Sequence, residues 1–367
     1  MPKESAKNKF SMPRFAFYLV EPVGLEDALE FGTKAEENGY DAVAACENLF
    51  WWSPGQSPVW DNFVVLNTIL QRTKRIKILT DVIDPVKRHP AVVAQTVATI
   101  DSISKNRIAL GIGAGEVANF GPMIDLAKPP SLSMIKEFIQ VIRGLWGSTV
   151  EKPLTFEGKF YQLKDAYLST KPYTKPNPPI YIGAMGPKMR KLVGELGDGW
   201  VPLTYTPESY QKDLEGIQEV ARSCGRDPNA IDHALTVYTI TLRDRRRAEK
   251  IATERGRLEL VARPELLPAL GYGDLADYSL TWAKRSGPLV QSEREKQLMK
   301  AIPESEATRV TISGTPDDAI ERIEEFVDAG VQLFILWQPY ENRKDLVETI
   351  KNYKTKVLPY FARKRRK

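Results

Sequence analysis

Cysteine and histidine are scarce: the 367 residues include two of each, Cys46 and Cys224, His89 and His233. Two distant cysteines without CxxC spacing exclude a disulfide framework and a thiolate zinc site, and two histidines cannot build a multi-histidine metal centre. No apolar run approaches the roughly 20 residues that cross a bilayer. The charged opening MPKESAKNKFSMPRF lacks the apolar stretch of a signal peptide, so a cytoplasmic protein is expected. Charge of one sign is not in large excess either. The formal net charge is +5, and the basic residues are spread out except for the closing run Arg363, Lys364, Arg365, Arg366, Lys367, which reads as a solvated end and not as a nucleic-acid site.

What is present is a globular balance, 42% hydrophobic and 27% charged. The length would hold two average domains, or one α/β barrel, which takes about 250 residues and tolerates insertions. The patterning favours the barrel. Short β-branched runs alternate with longer amphipathic segments, as in consecutive βα units around a parallel sheet. Strands are expected at 15–20, 41–45, 76–80, 108–112, 179–183, 199–203, 234–242 and 332–337. Helices are expected from residue 25 to a stop at Gly39, after Pro90 with Val93, Val97, Ile100 and Ile103 facing inward, around Ile135, Phe138, Ile139, Ile142 and Leu145, at 187–196, 207–223 and 316–329, and after the last strand. Residues 154–175 read as a hairpin-like excursion.

Eight strands with about eight helices close a single (β/α)8 TIM barrel over residues 1–367. The charged stretch 243–304 interrupts the seventh unit as a helical insertion near the barrel mouth. It would lid or shape a substrate pocket, or serve as scaffold or dimer contact.

Three stretches could carry chemistry. After the fourth strand, Gly111, Gly113, Ala114, Gly115 and Glu116 form a glycine loop whose backbone can approach an anion or a flat ring. Residues 113–118 also satisfy GxGxxA, but three βα units precede the loop and Pro129–Pro130 replaces the acidic strand end a dinucleotide fold needs. After the fifth strand, Gly183, Ala184, Met185 and Gly186 lead into a proline-opened helix, whose free N–H groups suit a phosphate or simply make a βα turn. After the second, Cys46, Glu47, Asn48, Leu49, Phe50, Trp51 and Trp52 put an acid, an amide and two indoles where barrels keep reacting groups; the indoles would wall a flat ring or only pack the loop.

Taken together, Arg88-His89-Pro90 with Ala98-Thr99-Ile100-Asp101, Asn106-Arg107 and GIGAGE, then GPKMRKLVGELGDGW at 186–200 and GTPDDAIERIEEFVDAG at 314–330, resemble the hallmarks of luciferase-like flavin and deazaflavin oxidoreductases. The acid closing the glycine loop looks most like members that use coenzyme F420: methylenetetrahydromethanopterin reductase, glucose-6-phosphate dehydrogenase and phthiodiolone-type ketoreductases. The resemblance implies that Gly113, Ala114, Gly115 and Glu116 line the cofactor and active site, that Ala184, Met185 and Gly186, with Gly183 beside them at the cofactor, hold its phosphate, and that Asp81 and Val82 join through a non-prolyl cis peptide behind the ring. A homodimer is also implied.

Glu47 and Trp52 match the acid and tryptophan of the sugar-phosphate dehydrogenase pattern, whereas Asn48 stands where that enzyme has a histidine base. An amide cannot accept a proton from an alcohol, so that oxidation is not expected. The expected activity is hydride transfer between F420 and a carbonyl or other unsaturated, mainly hydrophobic small-molecule substrate, with Glu47 or Glu116 handling the proton. The alternatives are an FMN-dependent monooxygenase on the same barrel and a non-catalytic flavin-binding protein.

Overall fold

The computed structural model describes residues 12–19, 24–49, 59–115, 123–124, 131–281, 292–339 and 342–364. Its strands are β1 (Arg14–Leu19), β2 (Ala42–Ala45), β3 (Lys77–Thr80), β4 (Ile108–Ile112), β5 (Leu154–Glu157), β6 (Gln162–Ala166), β7 (Ile180–Ile182), β8 (Gly199–Trp200), β9 (Asp232–Thr241), β10 (Ile312–Gly314) and β11 (Leu333–Trp337). Eight of them close a ring, β1-β2-β3-β4-β7-β8-β9-β11 and back to β1, with every neighbour parallel. Such strands are covered by side chains inside and helices outside, which is why they read as nearly continuous apolar runs. In β2, β7 and β11 every residue is buried.

The helices are α1 (Leu25–Lys34), α2 (Asn62–Gln71), α3 (Pro90–Ser104), α4 (Leu132–Gly147), α5 (Pro187–Leu196), α6 (Pro207–Ser223), α7 (Arg245–Ala262), α8 (Glu293–Ala301), α9 (Glu304–Ala307), α10 (Pro316–Asp328), α11 (Arg343–Asn352) and α12 (Leu358–Lys364). Most begin on a capping side chain, as Thr206 and Thr315 do in full capping boxes on α6 and α10. The expected excursion after α4 is the β5–β6 hairpin, its turn held by Glu137, whose carboxylate accepts from the N–H groups of Lys159, Phe160 and Tyr161.

Several expectations need correction. Helix α2 was not singled out, because FVVLNTIL mixes β-branched residues with a helical spacing; the Asp61 side chain caps it. The sixth strand stops at Trp200: Pro202 has no N–H for the ladder, and beyond it a bridge from Leu203 to Thr236 remains while the guanidinium of Arg263 takes the carbonyls of Leu203 and Thr204. A ninth parallel strand, β10, pairs with the last residues of β9. Ile103, expected to face inward, is 53% exposed. Ile103 instead aligns with Val92 on the outer side of α3.

Within 243–304, Ala248 and Ala252 of α7 belong to the same apolar core as the barrel strands. The end of α7, the turns at 264–275 and α8 make a second cluster around Leu260, Leu266, Leu267, Leu298 and Ile302.

Candidate active site

The carboxyl ends of the ring strands converge on one rim. The bond between Asp81 and Val82, just past β3, is cis, where the resemblance implied it. Val82 turns its methyls toward the glycines of two neighbouring strand ends. A Cβ on Gly113 would come 2.5 Å from Val82 Cγ2, and one on Gly183 would come 3.3 Å from both methyls. Gly115 is left-handed at φ 75°, with Asp84 where a Cβ would go. The glycines therefore first serve the chain itself: they let Val82 fill the corner between β3, β4 and β7. Ala114, between them, is half-buried against the core.

Asp81 points into the barrel. Its Oδ2 accepts a 2.8 Å hydrogen bond from Thr236 Oγ1 on β9, the strand diametrically opposite β3 in the ring, so the carboxyl bridges the interior. The Tyr18 hydroxyl of β1 donates to the Asp81 carbonyl at 2.8 Å. Trp337 of β11 meets the rings of Tyr18 and Tyr238 edge-on, at centroid distances of 6.1 and 6.4 Å. Burial pushes the Asp81 carboxyl up to about 7, against a smaller downward pull from Thr236.

Glu47 has a different environment. It is buried beyond β2, with Arg88 Nε at 2.6 Å and Lys87 Nζ at 3.4 Å, while Lys87 also contacts Asp84 at 2.5 Å and donates to the Glu47 carbonyl at 2.6 Å. Arg88 reaches on to Asp61. Three carboxylates thus share two cations, tying the ends of β2 and β3 to the caps of α2 and α3. Burial holds the Glu47 carboxyl above its ordinary range, and Lys87 and Arg88 offset only part of that rise. Glu47, one of the two acids expected to handle the proton, is thus held in a clamp of buried charges. Asn48, next to it, is half-exposed.

The turn after β7 is built to present its N–H groups. Trp200 Nε1 donates to the Ala184 carbonyl at 2.8 Å and Arg190 to the Met185 carbonyl at 2.5 Å, which occupies the oxygens of the turn. Gly186 then starts α5 with no side-chain cap, unlike α2, α3, α4, α6, α7, α8, α10 and α11. Beside it there is open space. An uncapped helix start with exposed Lys188 has free N–H groups that could hold a phosphate.

Sequence reasoning missed what α7 contributes. Its Arg255 lies 3.6 Å over the Trp337 ring and 5.5 Å from that of Tyr238, paired at 2.9 Å with buried Glu259, which accepts from Thr204 Oγ1 at 2.7 Å. One face of the 243–304 stretch is thereby packed on the aromatic wall of the rim. The only signal for this in the sequence is the four-residue spacing of Arg255 and Glu259.

A family model described as luciferase-like monooxygenase matches residues 10–333. The chain belongs to that family. An F420-dependent glucose-6-phosphate dehydrogenase of Microbacterium testaceum is 28% identical over 349 residues, 94% of this chain and 96% of the relative. The phthiodiolone/phenolphthiodiolone dimycocerosates ketoreductase of Mycobacterium tuberculosis is 30% identical over 304 residues, covering 78% and 74%. Among solved structures, an F420-dependent secondary alcohol dehydrogenase in complex with an F420-acetone adduct superposes with a TM-score of 0.77 at 27% identity, covering 94% of this chain and 98% of that one. The coenzyme F420-dependent tetrahydromethanopterin reductase of Methanopyrus kandleri gives 0.78 at 22% identity, covering 96% and 100%, a likeness of fold.

On this luciferase-like barrel, Asp81, Val82, Gly113, Ala114, Gly115, Gly183, Ala184, Met185 and Gly186 all lie on the ends of β3, β4 and β7 or just past them. Glu47 and Asn48 follow β2 on the same rim. Glu116 and Trp52 lie outside the described residues.

Proposed function

We propose that this luciferase-like protein is an oxidoreductase that uses coenzyme F420 to transfer hydride to or from a carbonyl or related unsaturated, largely apolar small molecule. Its domain is taken as the whole of 1–367, with 243–304 as an insertion, and its location as cytoplasmic. The observation that carries the reading is the uncapped start of α5, beside the Val82-filled corner and on the same rim as the aromatic wall. It supports a phosphate-bearing cofactor with a planar head. F420-dependent relatives over most of the chain favour the deazaflavin over FMN.

The residues fit such a group. The amides of Ala184, Met185 and Gly186 and the α5 dipole would hold the phosphate. Gly113, Ala114 and Gly115 with Val82 would flank the ring, and Asn48 with Trp52 and Glu116 would complete the pocket. Bound reduced F420 supplies a hydride. The chain's own work is to orient the acceptor against Tyr18, Tyr238 and Trp337, keep water from it and deliver a proton. The insertion, through Arg255 on Trp337, sets the far wall of the pocket.

Fluorescence titration of the purified chain with F420 and with FMN tests the reading. Micromolar or tighter binding of F420, with reduction of a panel of apolar ketones, is expected; binding of FMN alone with oxygen uptake would overturn it, and cofactor binding without any turnover would favour a non-catalytic flavin-binding protein. A homodimer belongs to the same proposal, supported by the exposed stripe Val92 and Ile103 on α3 beside Val64 on α2. A groove of about 390 Å³ runs between those helices.

A further inference from the structure

Among the described residues, the acids buried around the rim of the barrel include Glu47, Asp84, Asp81 and Glu259. Three of them are matched by cations, Glu47 by Lys87 and Arg88, Asp84 by Lys87 and Glu259 by Arg255. Asp81 is the exception: its carboxyl forms no ion pair among the described residues, and its partner is the neutral hydroxyl of Thr236. It also occupies a particular place, because a side chain that leaves β3 and bonds β9 crosses the axis of the ring beneath the rim. We propose that Asp81 is the proton-holding group of the reaction, the acid at the floor of the pocket that gives a proton to the substrate oxygen during reduction and takes one back during oxidation. The inference rests on the F420 reading above.

The step balances simply. As the carbonyl carbon gains the hydride supplied by reduced cofactor, the carbonyl π pair moves to oxygen; the O–H bond of Asp81 breaks and the O–H bond of the alcohol forms. The carboxylate left behind is reprotonated from solvent. A buried carboxyl without a cation is held neutral by desolvation, so it enters the step as an acid, whereas Glu47 has its oxygens engaged by Lys87 and Arg88 in the clamp beyond β2. The Asp81 carboxyl, raised to about 7 by burial, would be part protonated near neutral pH. Among the described residues, the titratable groups toward the rim on the elements around it include Tyr18 and Tyr238 from β1 and β9, Cys46 and Glu47 past β2, Asp84 and Lys87 past β3, and Arg255 from α7. Of these, Tyr18 bonds the Asp81 main chain, and none makes an ion pair with the carboxyl among the described residues.

Three variants of the full chain, Asp81→Asn, Thr236→Val and Glu116→Gln, test this against wild type, with folding of each checked by circular dichroism. Infrared spectra of the cofactor-free protein between about pH 5 and 9 should show a protonated carboxylic acid that titrates near neutrality, is missing in D81N and titrates at higher pH in T236V, which lacks the bond favouring the anion. This readout needs neither cofactor nor turnover. With F420, D81N should bind within about threefold of wild type, lose at least about a hundredfold in kcat for ketone reduction and lose the alkaline fall of the pH profile, a loss in the range assigned to general acids. T236V should keep that fall and shift it upward. An Asp81 that is ionised throughout, a D81N with wild-type kcat and pH profile, or a profile abolished by E116Q and not by D81N, would each overturn the assignment. Failure of wild type to bind F420 would instead sink the cofactor reading and leave the infrared result to stand alone.

Discussion

Gly113 shows how far a single atom reaches at this site. Its missing Cβ leaves room for Val82, and an added methyl would lie 2.5 Å from Val82 Cγ2, closer than real carbons approach. Val82 is boxed in from the β7 side by Gly183, so it has no easy retreat. Gly113→Ala is therefore expected to cost about 1–3 kcal/mol of stability, the range for overpacking a filled interior. It should also weaken F420 binding, because Val82 would be displaced toward the space proposed for the ring. Chemical denaturation and cofactor titration of the same variant measure the two effects, and unchanged affinity in a destabilised protein would separate Val82 from the cofactor. Gly186 is the opposite case. It has nothing near its Cβ position and an ordinary φ of −80°, so its use is not steric.

That contrast becomes a prediction at the level of the helix. Gly186→Asp would place a capping carboxylate on the N–H groups at the start of α5, with no clash and a backbone already in the extended capping region. Asp in place of Gly there is worth about a few tenths of a kcal/mol to the helix. The same carboxylate would occupy the donors proposed for the cofactor phosphate and repel it. The expected result is a melting temperature equal or higher than wild type, with F420 affinity lower by at least about tenfold, or 1.4 kcal/mol. Undiminished affinity would move the phosphate elsewhere.

Much at this level was legible beforehand. Most of the ring strands show as short apolar runs because both faces are buried, and α3, α5, α6 and α10 announce themselves by prolines at their first turns. Helix α2 did not, since its Val and Ile residues suit a strand equally well, and β10 is too short at three residues to carry a period. The glycine loops were visible, but their purpose was not: Val82 is about 30 residues from Gly113 and 100 from Gly183, and no local pattern records that packing. The same distance hides the polar chemistry. Asp81 and Thr236 are 155 positions apart, Glu47 and Arg88 are 41 apart, and only the closed ring brings each pair together.

For the molecule as a whole, two buried groups at opposite ends of the barrel make stability depend on pH in opposite senses. His233, at the start of β9, is buried, and desolvation lowers its pKa below 6.5 despite the nearby charge of Asp232. The native state thus keeps the ring neutral where the unfolded chain would protonate it, and stability is lost as pH falls below about 6.5. Asp81 is raised, so between about 4 and 7 the native state holds a proton that the unfolded chain has released, and stability declines as pH rises through that window. The two slopes overlap below about pH 6.5, where wild type alone cannot resolve them, but differences between variants can. Relative to wild type, His233→Asn should gain stability progressively toward acid pH, while Asp81→Asn should gain it toward alkaline pH, as the cost of burying an unpaired carboxylate disappears. Denaturant midpoints measured from about pH 5 to 8.5 on both variants are the check, and a stability difference that stays constant across that range for either one would mean its group does not titrate between the folded and unfolded states.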